Sequence, residues 1–145
     1  MTEQTSNPEL FDLYCAKIFD YLFEHFPMPK SLDGEKLTGG KVELGDLNQE
    51  ITISPELKMF SATAIWLEEE GYIRHKGHTG SQYCFSYAVL THKALTAMKR
   101  LPGVINSEDK RTVADLIKDA VKTGSDQAIK TSVATLLTMP WFPAS

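Results

Sequence analysis

Trp66-Leu67-Glu68-Glu69-Glu70-Gly71-Tyr72-Ile73-Arg74 and Val89-Leu90-Thr91-His92-Lys93-Ala94-Leu95 are the two runs on which the fold turns. The first reads as a helix end, a glycine suited to a left-handed reversal, and a strand start. The second reads as a strand end followed by a threonine that can cap the next helix. Between them, Tyr72 to Lys76 and Gln82 to Leu90 are rich in aromatic and branched residues, and Gly77-His78-Thr79-Gly80-Ser81 has the chemistry of a hairpin tip. The predicted order is helix, antiparallel pair, helix.

Upstream, Ser54 is expected to cap the helix that ends at Gly71, with Pro55 at its first position and Glu56 at the positive end of its dipole. Leu57, Phe60, Ala64 and Leu67 share one face, and Met59, Ala62 and Trp66 broaden it. That predicts a helix wrapped on more than one side, with Trp66 as a core anchor. Ser31 to Thr52 is rich in glycine and short apolar positions, and reads as a short strand, a short helix near Asp46 to Glu50, or neither. Further back, Asn7-Pro8-Glu9 opens an N-terminal helix carrying Leu10, Tyr14, Ile18 and Leu22. It should end before Pro27, with Phe26-Pro27-Met28-Pro29 extended.

Downstream, the Thr91 helix carries Ala94, Leu95 and Met98 and stops at Pro102-Gly103. Ser107 is then expected to cap a helix striped by Val113, Leu116, Ile117, Ala120 and Val121, closed by Thr123-Gly124-Ser125. A last helix carries Ile129, Val133, Leu136 and Leu137 and stops at Pro140. This C-terminal helical hairpin either closes over the preceding unit or pairs with a second copy.

The 145 residues suit one domain of ordinary size, divided as 1–103 and the helical hairpin 104–145. A composition 42% hydrophobic and 23% charged predicts a real core and excludes a disordered chain. No apolar run approaches the roughly 18 residues of a membrane span, and Met1 to Asn7 lacks the pattern of a signal peptide, so a cytoplasmic protein is expected. Cys15 and Cys84 have no CxxC spacing and read as buried free thiols. The net charge of −4 conceals an uneven distribution. Residues 1–70 carry five Lys or Arg against fourteen Asp or Glu, and residues 108–145 balance. Residues 71–107 contain no acid at all and hold Arg74, Lys76, Lys93, Lys99 and Arg100. A basic middle in an acidic chain suits an anionic partner.

The run Leu67-Glu68-Glu69-Glu70-Gly71-Tyr72-Ile73, the glycine-bearing tip and Leu90-Thr91 resemble the winged-helix DNA-binding superfamily, above all bacterial transcription regulators of the MarR and PadR kinds. The resemblance covers about a third of the chain. It departs from those families in three places. The helix that should precede the recognition helix is not fixed by the pattern between Ser31 and Thr52, Ala94 stands where glycine is common, and the paired Asp-Arg of many MarR-like wings is missing. It implies an α+β, mainly helical fold, a winged helix with a two-stranded wing, an N-terminal helix and the C-terminal hairpin. It also implies a homodimeric regulator of double-stranded DNA. The helix would offer Lys58, Ser61 and Thr63 to the major groove, and the wing would offer Arg74, Lys76, His78 and Ser81 to the phosphates.

Each of these has a plainer reading, as solvated helix residues and an ordinary soluble hairpin, and Glu68 to Glu70 would repel phosphate. The same fold serves as a protein-binding module, so a protein partner without DNA binding is the rival expectation. His75, His78 and Cys84 are competent zinc ligands, but strand neighbours point to opposite faces, and no metal or cofactor is expected. Thr38-Gly39-Gly40-Lys41 is too short for a phosphate-cradling loop, and neither Cys nor Ser lies in a nucleophile motif, so an enzyme is not expected.

Overall fold

A computed structural model describes residues 7–44, 51–77, 83–101 and 111–138. It is an α+β, mainly helical structure with a small antiparallel sheet. The order is α1 (Asn7–His25), β1 (Lys30–Asp33), α2 (Gly34–Thr38), β2 (Val42–Leu44), β3 (Ile51–Ile53), α3 (Pro55–Glu69), β4 (Ile73–Arg74), β5 (Cys84–Leu90), α4 (His92–Lys99), α5 (Val113–Thr123) and α6 (Asp126–Thr138).

The centre of the molecule is α1. Tyr14, Cys15, Ala16, Ile18, Phe19 and Leu22 are all buried, more than one stripe of a helix. They meet α3, α5, α6 and β5 on different sides. The expectation of a helix wrapped by neighbours thus belongs to α1, whereas α3 keeps one side open. Val113, Ile117 and Ala120 of α5 and Ile129, Val133 and Leu136 of α6 join Phe60, Phe85 and Leu90 in one core. The apolar stripes of the C-terminal hairpin therefore pack on α1 within the chain. Each fully buried Leu, Ile or Phe contributes about 1.5–3 kcal/mol.

Three strands form the main sheet in the order β1-β5-β4. Arg74 faces Val89 and Ile73 faces Leu90 across β4 and β5, the expected antiparallel pair. Lys76 N–H continues the pairing to the Ser86 carbonyl at 2.9 Å. On the other edge, Lys30 faces Ala88 but Leu32 faces Phe85, so Ser31 opposes two residues, Ser86 and Tyr87. That extra residue is a β-bulge.

Residues 30–44 hold elements that periodicity could not resolve. Asp33 caps α2 by accepting the Glu35 N–H at 3.0 Å, and α2 closes after one turn at Gly39. A hairpin of β2 and β3 then stands between α2 and α3, closed at its base by the Ser54 N–H donating to the Lys41 carbonyl. The stretch Asp46 to Glu50, read as a possible short helix, lies outside the described residues.

Several expected ends are corrected. The Ser54 hydroxyl makes no cap bond to α3, because it accepts the Lys41 N–H at 3.0 Å instead. Helix α5 is capped by Thr112, in a reciprocal box with Asp115, rather than by Ser107, which lies outside the described residues. Phe26 to Met28 form a turn, not an extended run, with the Met28 N–H on the His25 carbonyl at 2.8 Å. Cys84 is half-buried, while Cys15 is fully buried. The reversal at Gly71, at φ +83°, and the Thr91 cap of α4 are as expected. Pro102-Gly103 and Pro140 fall outside the described residues. No helix among the described residues is long and apolar enough to cross a membrane.

Candidate nucleic-acid interface

Alternation along β4 and the two residues that follow it sets the direction of the cations there. Ile73 is buried, Arg74 exposed, the His75 side chain only 8% exposed, and Lys76 exposed. Arg74 and Lys76 thus point away from the core, on the same side of the hairpin. The Lys76 amine lies 5.3 Å from the centre of the Tyr87 ring, which is 61% exposed. His78 and Ser81, the other two tip residues read as phosphate contacts, lie outside the described residues.

His75 points inward against Phe85, with ring centres 4.9 Å apart. Its Nδ1 accepts the Gly77 N–H at 2.9 Å, and its Nε2 lies 3.1 Å from the Glu68 carboxylate. With Nδ1 an acceptor, the ring proton of a neutral imidazole sits on Nε2, facing Glu68. The ring thereby ties the end of α3 to the start of the hairpin, and both nitrogens have neighbours of their own. Among the described residues no three His, Cys, Asp or Glu side chains cluster for a metal.

The residues proposed on α3 divide. Lys58 is exposed and Ser61 is half-buried. Thr63 is buried, and its hydroxyl donates to the Met59 carbonyl at 2.7 Å, which removes it from the surface. Lys58, Ala62, Ile65 and Glu69 form the outward row at helical spacing, with Trp66 beside it. Trp66 is no core anchor: it is 38% exposed, edge-on to Phe11 at 5.1 Å and stacked on Tyr72 at 6.4 Å. The outer side of α3 is apolar in its middle and acidic at its end.

The remaining cations of the acid-free stretch are not equivalent. Lys93 donates to the Glu70 carbonyl at 2.7 Å and lies 4.3 Å over the Tyr72 ring, so it closes the end of α3. His92 and Lys99 are exposed. Away from this face, burial raises the Asp12 carboxyl above its ordinary value in a groove between α1 and α6, with Lys130 opposing the shift and Glu9 adding to it.

One residue of this face was missed. Strict alternation along Cys84-Phe85-Ser86-Tyr87-Ala88-Val89-Leu90 puts Tyr87 on the side of Phe85, whereas the bulge lets Phe85, Ala88 and Leu90 go inward and sends Tyr87 out. No protein-family model, curated protein or solved structure matches the chain.

Proposed function

We propose that the protein is a winged-helix DNA-binding protein of the transcription-regulator kind, holding the duplex backbone mainly through its wing. The order α1-β1-α2-α3-β4-β5, with β5 between β1 and β4, supports the fold reading. In it α3 stands in the recognition position and the paired strands β4 and β5 stand as the wing. The β2-β3 hairpin takes the place of the tight turn of a standard helix-turn-helix. The observation that carries the function is the outward pair Arg74 and Lys76, on a stretch with no carboxylate from residue 71 to 107. Cations so placed gain affinity by releasing counterions from phosphates, whatever the base sequence. Lys58 and Ser61 would supply what α3 offers to the groove. A two-fold dimer belongs to this reading and would use a surface other than the α5 and α6 stripes.

A protein partner is the second reading, favoured by the outward Ala62, Ile65 and Trp66 with Glu68, Glu69 and Glu70 at the helix end. Fluorescence anisotropy with a labelled random duplex at low and moderate salt separates the two. Salt-sensitive binding is expected, with a salt slope reduced by about 1 for each of Arg74→Ala and Lys76→Ala. No binding at low salt overturns the DNA reading and leaves the protein partner.

A further inference from the structure

Tyr87 adopts φ +54°, the left-handed region that a side chain with a Cβ enters against steric resistance. It is the one residue other than glycine with positive φ among the described residues. Glycine or asparagine would hold the same bulge with less strain. The bulge instead presents a ring that is 61% exposed, beside Lys76 and on the same side as Arg74. A packing role does not account for this ring, since Phe85, Ala88 and Leu90 fill the core from the same strand. An exposed, backbone-fixed aromatic beside one cation, with a second on the same side of the hairpin, matches the chemistry of an unpaired nucleotide, whose base offers a π face and whose phosphates offer charge.

We propose that Tyr87 is a stacking platform for an unpaired nucleobase, with Arg74 and Lys76 holding the flanking phosphates, so that this face takes a single-stranded stretch. The proposal rests on the wing cations of the reading above and goes beyond it, adding to the duplex backbone an unpaired stretch held on the same face. Stacking on one ring is sequence-tolerant, because every base has a π face. The salt-dependent contribution belongs to the cations and the salt-independent one to the ring.

The test compares labelled oligothymidylate with a blunt duplex of equal length, by anisotropy, for the wild type, Tyr87→Phe and Tyr87→Asn. The expected result is tighter binding of the single strand, kept by Tyr87→Phe and weakened about 5- to 150-fold by Tyr87→Asn at an unchanged salt slope. The melting temperature of Tyr87→Asn should equal or exceed that of the wild type, since asparagine suits the left-handed region. Single-strand affinity unchanged in Tyr87→Asn overturns the platform while leaving the wing cations in place. A lower melting temperature in that variant also overturns it, making Tyr87 a structural residue. Failure of the wild type to bind either oligonucleotide overturns the nucleic-acid reading itself.

Discussion

The Thr91 hydroxyl donates to the Gly71 carbonyl at 2.5 Å while accepting the Ala94 N–H at 3.3 Å, so one side chain joins the end of α3 to the start of α4. The Thr91 N–H adds a bond to the Tyr72 carbonyl at 3.0 Å. Thr91→Val keeps the shape and the backbone bond but removes the cap and leaves a carbonyl unpaired. A loss of about 1–2 kcal/mol is expected, with Thr91→Ser close to wild type. Urea unfolding monitored by circular dichroism measures it, and a Val variant as stable as the parent would refute the clamp.

Gly34 lies where α2 begins against β5. Its N–H donates to the Tyr83 carbonyl at 2.7 Å, and a Cβ built on it would come within 2.9 Å of that oxygen and 2.8 Å of Phe60 Cδ2. A backbone oxygen fixed by pairing cannot retreat, so Gly34→Ala should destabilise by about 1–3 kcal/mol. Thermal melting reads the effect. An unchanged midpoint would mean that the β1-α2 corner gives way more easily than its contacts imply.

The parts of this fold legible from sequence are those where one residue type has one physical use. Gly71 supplies a left-handed turn, Thr91 a cap, and the flanking branched and aromatic residues a strand pair. What escaped detection was set by distant partners. Helix α2 is a single turn, too short for any periodicity, and is held by Asp33, Thr38 and its packing under α3. Ser54 has the composition of a cap but is taken by Lys41 across the base of a hairpin. The candidate site was half legible: local charge gave Arg74 and Lys76, whereas Tyr87 is exposed only because Ser31 faces two residues of β5. Thr63 was misplaced because a buried hydroxyl bonded to its own helix looks, in sequence, like an exposed one.

Asp20 on α1 gives the protein a pH response. Burial raises its carboxyl above the ordinary 3.8, Lys118 on α5 opposes the shift, and Glu24 adds to it. The folded state thus holds the proton more tightly than the unfolded chain. The stabilisation from that proton is complete below pH 3.8 and is lost as the pH rises through the folded value. At neutral pH the ionised carboxylate is a net burden. Asp20→Asn should raise the melting temperature modestly at pH 7 and flatten its dependence on pH just above 3.8. A lower melting temperature at pH 7 would show that the attraction to Lys118 outweighs desolvation.

The two thiols should report folding separately. Cys15 is fully buried in α1, and burial pushes its thiol well above the ordinary 9.0, with Asp12 adding to the shift. Cys84 is half-buried at the start of β5, raised more mildly by burial and Asp33, with Lys36 in opposition. Since the thiolate is the nucleophile, both react more slowly than a free cysteine, and Cys15 has no solvent access at all. With a thiol-specific chromogenic disulfide in excess, the native protein should slowly release one equivalent from Cys84. The second equivalent should follow the unfolding rate across a denaturant series. In Cys84→Ser, labelling should then be governed by unfolding alone. Rapid native labelling of Cys15 in that variant would mean that α1 opens to solvent without global unfolding, which its central place in the core rules against.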